Sequence, residues 1–108
     1  PVAEETQAPL PEVFSLEQNY PNPFNASTLI SYALPSAGPV ALDIFNARGQ
    51  RVASLDEGMR PAGAHAVRWS GIDAVGRPLA SGVYFYRLRV PRANPEVVLE
   101  THKMVLLR

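Results

Sequence analysis

The residues best suited to chemistry are two histidines, a pair of adjacent carboxylates, two isolated aspartates and one serine beside a glycine. His65 and His102 stand 37 positions apart, and neither is accompanied by a second histidine or a cysteine. A zinc site needs several such ligands at fixed spacing, so we expect a rim residue and a surface strand residue instead. Asp56 and Glu57 adjoin in a stretch that carries glycine and proline. On a loop such a pair is solvated, whereas glycoside hydrolysis needs two carboxylates flanking a groove. Asp43 and Asp73 stand alone. Asp73 is expected to order the turn that ends at Gly76, through hydrogen bonds to the following backbone. Ser81 precedes Gly82 at the start of a strand, which is a turn position and not a nucleophile elbow. There is no phosphate-binding glycine loop and no calcium loop. No nucleophile, base and orienting group can be assembled. We therefore expect no catalytic residue, no metal ligand and no cofactor.

Binding chemistry has more to work with. Tyr20, Tyr32, Trp69, Tyr84 and Tyr86 could stack on sugar rings, but four of the five fall where the alternation places core residues. A ligand site needs exposed aromatics converging with polar groups. Arg87, Arg89 and Arg92 form a small basic cluster. Lys103 and Arg108 join it if the last strand pairs with the segment 82–90. Its plain reading is a wet face, and the alternative is salt-sensitive recognition of an anionic surface or partner.

These residues must be positioned by a small chain. It has 108 residues, no cysteine, and 10 basic against 10 acidic side chains. One domain is expected, without disulfides or thiolate metal sites. Zero net charge gives no long-range pull on nucleic acid. No apolar run is long enough for a transmembrane helix. The chain begins at Pro1, which suggests a piece of a longer protein or a processed one. Eleven prolines and seven glycines punctuate short apolar runs, as in an all-β domain.

The organising stretch is 79–90, LASGVYFYRLRV. It alternates with period two: Tyr84, Tyr86, Leu88 and Val90 share one face, and Val83, Phe85, Arg87 and Arg89 the other. That pattern predicts a strand with one face in the core. Residues 1–12, PVAEETQAPLPE, are too poor in large apolar groups to repay their ordering entropy, and read as a flexible Pro/Glu linker. Residues 13–108 are expected to form the domain. Further strands are predicted at 13–19, 28–34, 40–45, 50–55, 65–69 and 97–107. The segment 19–25, NYPNPFN, reads as a rigid loop whose Tyr20 and Phe24 plug the end of a core. Residues 56–64 read as a loop, and 91–95 as a hairpin connection. Seven strands at this spacing predict an all-β, seven-stranded antiparallel immunoglobulin-like β-sandwich, with a small barrel as the rival fold.

The segments NYPNPFNAST, VALDIFNARGQR, GRPLASGVYFYRL and the terminal KMVLLR together resemble the C-terminal sorting domains (type A) of the type IX secretion system. Those overlap with immunoglobulin-like domains related to the flagellar hook-assembly protein. The resemblance covers 13–108. It implies a non-catalytic address on a larger secreted protein, recognised by an outer-membrane secretion translocon after passage through the periplasm. The cargo would be covalently attached on the N-terminal side. In some relatives a surface sortase-like protease removes the domain and the cargo stays at the cell surface. By position, the residues implied in partner recognition are Gly82, Tyr84, Leu88, Lys103, Met104, Val105, Leu106, Leu107 and Arg108. The terminal strand is also expected to be an edge that offers unpaired backbone groups to another chain. The alternative is an accessory immunoglobulin-like module of a secreted enzyme, which binds polysaccharide or spaces domains.

Overall fold

The computed structural model describes residues 13–90 and 97–108. The linker segment 1–12 and the connection 91–95, with Arg92, lie outside them. Seven strands are formed among the described residues: β1 (Ser15–Leu16), β2 (Thr28–Leu34), β3 (Gly38–Asn46), β4 (Arg51–Arg60), β5 (Gly63–Trp69), β6 (Gly82–Val90) and β7 (Val97–Leu106). They make two antiparallel sheets, ordered β1-β2-β5 and β4-β3-β6-β7. The sandwich expected from the sequence is the fold observed.

Period two explains the packing. In β2, Thr28, Ile30, Tyr32 and Leu34 are buried while Leu29, Ser31 and Ala33 lie on the outer face. In β6, Tyr84, Tyr86 and Leu88 are buried, as their alternation requires. These side chains meet Leu42, Ile44, Met104, Leu106 and Trp69 in one core between the sheets. Burying each large apolar side chain contributes roughly 1.5–3 kcal/mol. The Trp69 ring packs edge-on to Tyr84 at 5.9 Å, and its indole N–H donates to the Ile72 carbonyl at 3.1 Å. Tyr86 donates its hydroxyl to the Glu17 carbonyl at 2.6 Å, and burial pushes its phenol up to about 12.

Three expectations need correction. The first strand is only Ser15–Leu16, because the ladder to β2 is interrupted over Gln18 and Asn19, whose side chains turn to the Lys103 carbonyl and to Thr28, before Tyr20 pairs with Leu29. The fourth strand runs on to Arg60, through part of the expected loop. A register shift between Val40 and Ala41 places Gly58 and Asp56 opposite them and leaves Glu57 as an extra residue. Gly58, at φ 64°, supplies the left-handed backbone such a bulge uses. Glu57 then accepts a hydrogen bond from the Tyr32 hydroxyl at 2.9 Å, which joins the two sheets. Finally, Phe24 does plug the core, but Tyr20 is 80% exposed. Tyr20 and Leu29 exchange two backbone hydrogen bonds, and that pairing keeps the Tyr20 ring outside.

Candidate functional site

The nine residues singled out by resemblance fall on two paired strands. Gly82, Tyr84 and Leu88 lie on β6, and Lys103, Met104, Val105 and Leu106 on β7, followed by Leu107 and Arg108. The register Gly82↔Leu106, Val83↔Val105, Tyr84↔Met104 and Phe85↔Lys103 brings the two groups side by side. Alternation then divides them. Tyr84, Leu88, Met104 and Leu106 are buried in the core. The Tyr84 hydroxyl is spent on the Ala80 carbonyl at 2.7 Å. Gly82, Lys103, Val105, Leu107 and Arg108 reach the surface to different degrees, and Leu107 is 53% exposed.

The edge of β7 is closed over 103–107, where the sequence suggested it was open. The loop 18–24 runs along it and occupies its outward backbone groups one after another. Gln18 Nε2 donates to the Lys103 carbonyl at 2.7 Å. The Val105 N–H donates to Asn22 Oδ1 at 2.9 Å. The Phe24 N–H donates to the Val105 carbonyl at 3.0 Å, and the Leu107 N–H to the Phe24 carbonyl at 2.8 Å. Phe24 thus makes a one-residue parallel bridge to Leu106. The NYPNPFN segment is a strand substitute that protects an edge. A buried polar knot holds it in place. Asn19 Nδ2 donates to Thr28 Oγ1 at 2.9 Å and to the Pro21 carbonyl at 3.2 Å, while the Thr28 hydroxyl donates to the Pro21 carbonyl at 2.9 Å. The Tyr20–Pro21 and Asn22–Pro23 peptide bonds are cis.

Arg108 is equally engaged. Its N–H donates to Ser81 Oγ at 2.8 Å, its Nε to the Leu79 carbonyl at 2.6 Å and its Nη2 to the Gly71 carbonyl at 2.6 Å. Gly71 has φ 69°, and a Cβ there would stand 2.8 Å from Arg108 Nη2 and 3.2 Å from Leu106 Cδ2. Glycine suits the left-handed backbone here, and a Cβ would also press on the Arg108 fork. The neighbouring turn is ordered as predicted: Asp73 Oδ1 accepts from the Val75 N–H at 3.0 Å and the Arg77 N–H at 2.9 Å. Those backbone donors hold the Asp73 carboxyl below its usual range.

The other candidates disperse. His65 sits beside the Pro61 carbonyl, and His102 bonds the Leu16 carbonyl while stacking on Tyr86. No group of three or more ligand-type side chains that could hold a metal occurs among the described residues. No helix among them is long and apolar enough to cross a membrane. Of the five aromatics that could stack on sugars, only Tyr20 is exposed; Tyr32, Trp69, Tyr84 and Tyr86 are core residues.

One constellation escaped the sequence reading. Asp43, isolated in the apolar run VALDIF, is buried on the outer face of the four-stranded sheet under Arg51, Arg87 and Arg89. Burial opposes its ionisation. Hydrogen bonds from Arg89 and Ser54 and the charges of Arg89 and Arg87 outweigh that and hold its carboxyl below the usual range. The signal was present: a carboxylate in mid-strand needs a partner, and alternation puts Arg87 and Arg89 on the outer face of a neighbouring strand.

The fold defines an immunoglobulin-like β-sandwich domain. Its sequence matches the FlgD Ig-like domain family over residues 24–94, and the chain belongs to that family. A search of curated proteins finds no match. Among solved structures it is similar to dimeric latent PorU from Porphyromonas gingivalis, at 20% identity and a TM-score of 0.75 over 94% of this chain. It also resembles FlgD from Xanthomonas campestris, described in connection with the hook capping essential for flagellar assembly, at 25% identity and a TM-score of 0.61. That likeness covers 86% of this chain and 67% of FlgD. A third likeness is to PorZ of Porphyromonas gingivalis, an essential bacterial surface component of the type IX secretion system. There the identity is 19% and the TM-score 0.54 over 84% of this chain. The chain spans 10% of the PorU chain and 11% of the PorZ chain.

Proposed function

We infer that this domain is a non-catalytic module that directs a larger secreted protein through the outer-membrane type IX secretion machinery. Its partners are the translocon, the cargo on its N-terminal side and, where the cargo is retained at the surface, a sortase-like protease. The observation that carries the reading is the terminal segment 103–108. It is built into the fold by the loop 18–24 on one side and by Arg108 on the other. A signal made this way is read as a folded surface. The groups available to a partner are Gly82, Lys103, Val105 and Leu107, while Tyr84, Leu88, Met104 and Leu106 shape that surface from beneath. Similarity to a domain of PorZ supports the setting.

Membership of the FlgD Ig-like family favours one second reading, a structural module that spaces or assembles larger chains. The polysaccharide-binding version loses its main support with the burial of Tyr32, Trp69, Tyr84 and Tyr86. The two readings part on export. A signal-peptide-bearing fluorescent reporter carrying residues 1–108 at its C-terminus, placed in a host with a working type IX system, should reach the cell surface or medium. The reporter alone should stay in the periplasm. A spacer would leave both in the periplasm.

A further inference from the structure

Among the described residues three guanidinium groups surround Asp43, and only Arg89 is hydrogen-bonded to it. Arg89 donates from Nε to Asp43 Oδ2 at 2.9 Å and from Nη2 to Oδ1 at 3.4 Å, and Ser54 donates to Oδ1 at 3.0 Å. Arg51 Nη1 and Arg87 Nε stand 3.8 and 3.7 Å from the carboxylate, close enough for attraction but beyond hydrogen-bond distance. The Arg87 Nε is buried and has no hydrogen-bond partner among the described residues. Its guanidinium lies over the Phe45 ring, 4.8 Å from the centroid. Strand register sets these groups side by side. Phe45 is opposite Arg51 on β4, and Asp43 is opposite Arg87 on β6. The result is an aromatic ring covered by Arg87, with Arg51 on the paired strand, and one buried negative charge among three positive ones.

A buried N–H without an acceptor is unfavourable, and the Arg87 fork, held over Phe45, and the more exposed Arg51 fork beside Asp43 both keep donors that an anion can reach. We propose that Arg51 and Arg87 form a binding site for a phosphate or sulfate group on the outer face of the four-stranded sheet. Phe45 holds the Arg87 plane in place, and Asp43 orients both cations without neutralising them. A tetrahedral oxyanion has enough oxygens to accept from both forks. A carboxylate offers only two oxygens in one plane and spans two forks less well. This site stands apart from the terminal segment 103–108, and the proposal does not depend on a role in secretion.

The test is a titration of the full, isotope-labelled chain with sodium phosphate and, separately, sodium sulfate and sodium acetate. Ionic strength is matched throughout with sodium chloride, and the arginine Nε–H signals are followed by NMR. Phosphate or sulfate should shift the Arg87 signal saturably, with a dissociation constant on the order of millimolar. Arg51→Gln and Arg87→Gln should each weaken that binding by about tenfold or more, and Arg48→Gln, on an exposed hairpin, should leave it unchanged. Arg51 is itself 57% exposed at its side chain, so its variant keeps the fold if the Asp43–Arg89 pair does. Shifts that never saturate, binding that survives Arg51→Gln, or acetate binding as tightly as phosphate would each overturn the proposal.

Discussion

The Val105 N–H is bonded to the side-chain oxygen of Asn22, 83 residues earlier in the chain, at 2.9 Å. Asparagine amides in proline-rich turns normally serve their own backbone. Here the loop presents that oxygen, and the Phe24 N–H and C=O after it, to the last strand as a neighbouring strand would. This pairing decides how the terminus can be recognised, since a partner strand would first have to displace the loop.

Removing the Asn22 oxygen tests that pairing. Asn22→Ala should cost about 1 kcal/mol in denaturant unfolding, the net worth of one hydrogen bond. Hydrogen exchange at the Val105 amide should quicken by about fivefold, the same energy expressed as local opening. The Tyr86 amide, in the middle of the sheet, opens with the whole fold and should quicken by no more than the global loss of stability. An unchanged Val105 amide would mean that the loop does not close the edge.

Gly71 and Arg108 should be coupled. Gly71→Ala puts a Cβ into left-handed backbone and against Arg108 Nη2, and should cost about 2–3 kcal/mol. Arg108→Ala should cost about 1 kcal/mol for its lost hydrogen bonds. In the double variant the close approach to Arg108 is gone, so the cost should fall short of the sum. Strict additivity in the thermal or urea midpoints would contradict the clamp.

Acid should weaken the Asp43 cluster. The Asp43 carboxyl titrates lower in the folded chain than in the unfolded one, where an aspartate titrates near about 3.9. Its contribution is therefore complete above the unfolded value and is lost as pH falls through the folded one. Asp43→Asn should cost about 2 kcal/mol at pH 7, because it leaves three guanidiniums around a neutral group. The gap between variant and wild type should narrow at pH 3. An equal gap at both pH values would show that the charge contributes nothing. Asp73 shifts in the same direction, so some acid sensitivity should remain in the variant.

The sandwich was legible wherever alternation was clean. Tyr84, Tyr86 and Leu88 face the core as their spacing required; in β2, where both faces carry apolar residues, Ile30, Tyr32 and Leu34 take the inner one. The central strand was harder to read. Val40, Ala41, Leu42, Asp43 and Ile44 are all buried, because arginines from both neighbouring strands cover the outer face that alternation would leave wet. The length of β4 was hidden by Gly58, which reads as a turn signal but occupies a bulge inside a strand. The site was less legible than the fold. Composition marked 103–108 as an apolar terminal strand, and an edge by its position. Nothing local to that segment shows that a loop from the other end of the chain covers it, since side-chain-to-backbone pairing at such separation leaves no periodic trace.

The measurement that tests the central claim most directly compares export of three reporter fusions in a host with a working type IX system. One carries the wild-type chain, and one carries Lys103→Glu with Leu107→Ser. The third carries the host's own sorting domain as a control. The paired substitutions alter outward side chains and leave the backbone bonds to Gln18 and Phe24 in place. The account predicts that the wild-type fusion reaches the outside and that the substituted one, equally folded, stays in the periplasm. A folded wild-type fusion retained in the periplasm while the control is exported would contradict the sorting role. Export of the substituted fusion at the wild-type level would contradict the surface assigned to it.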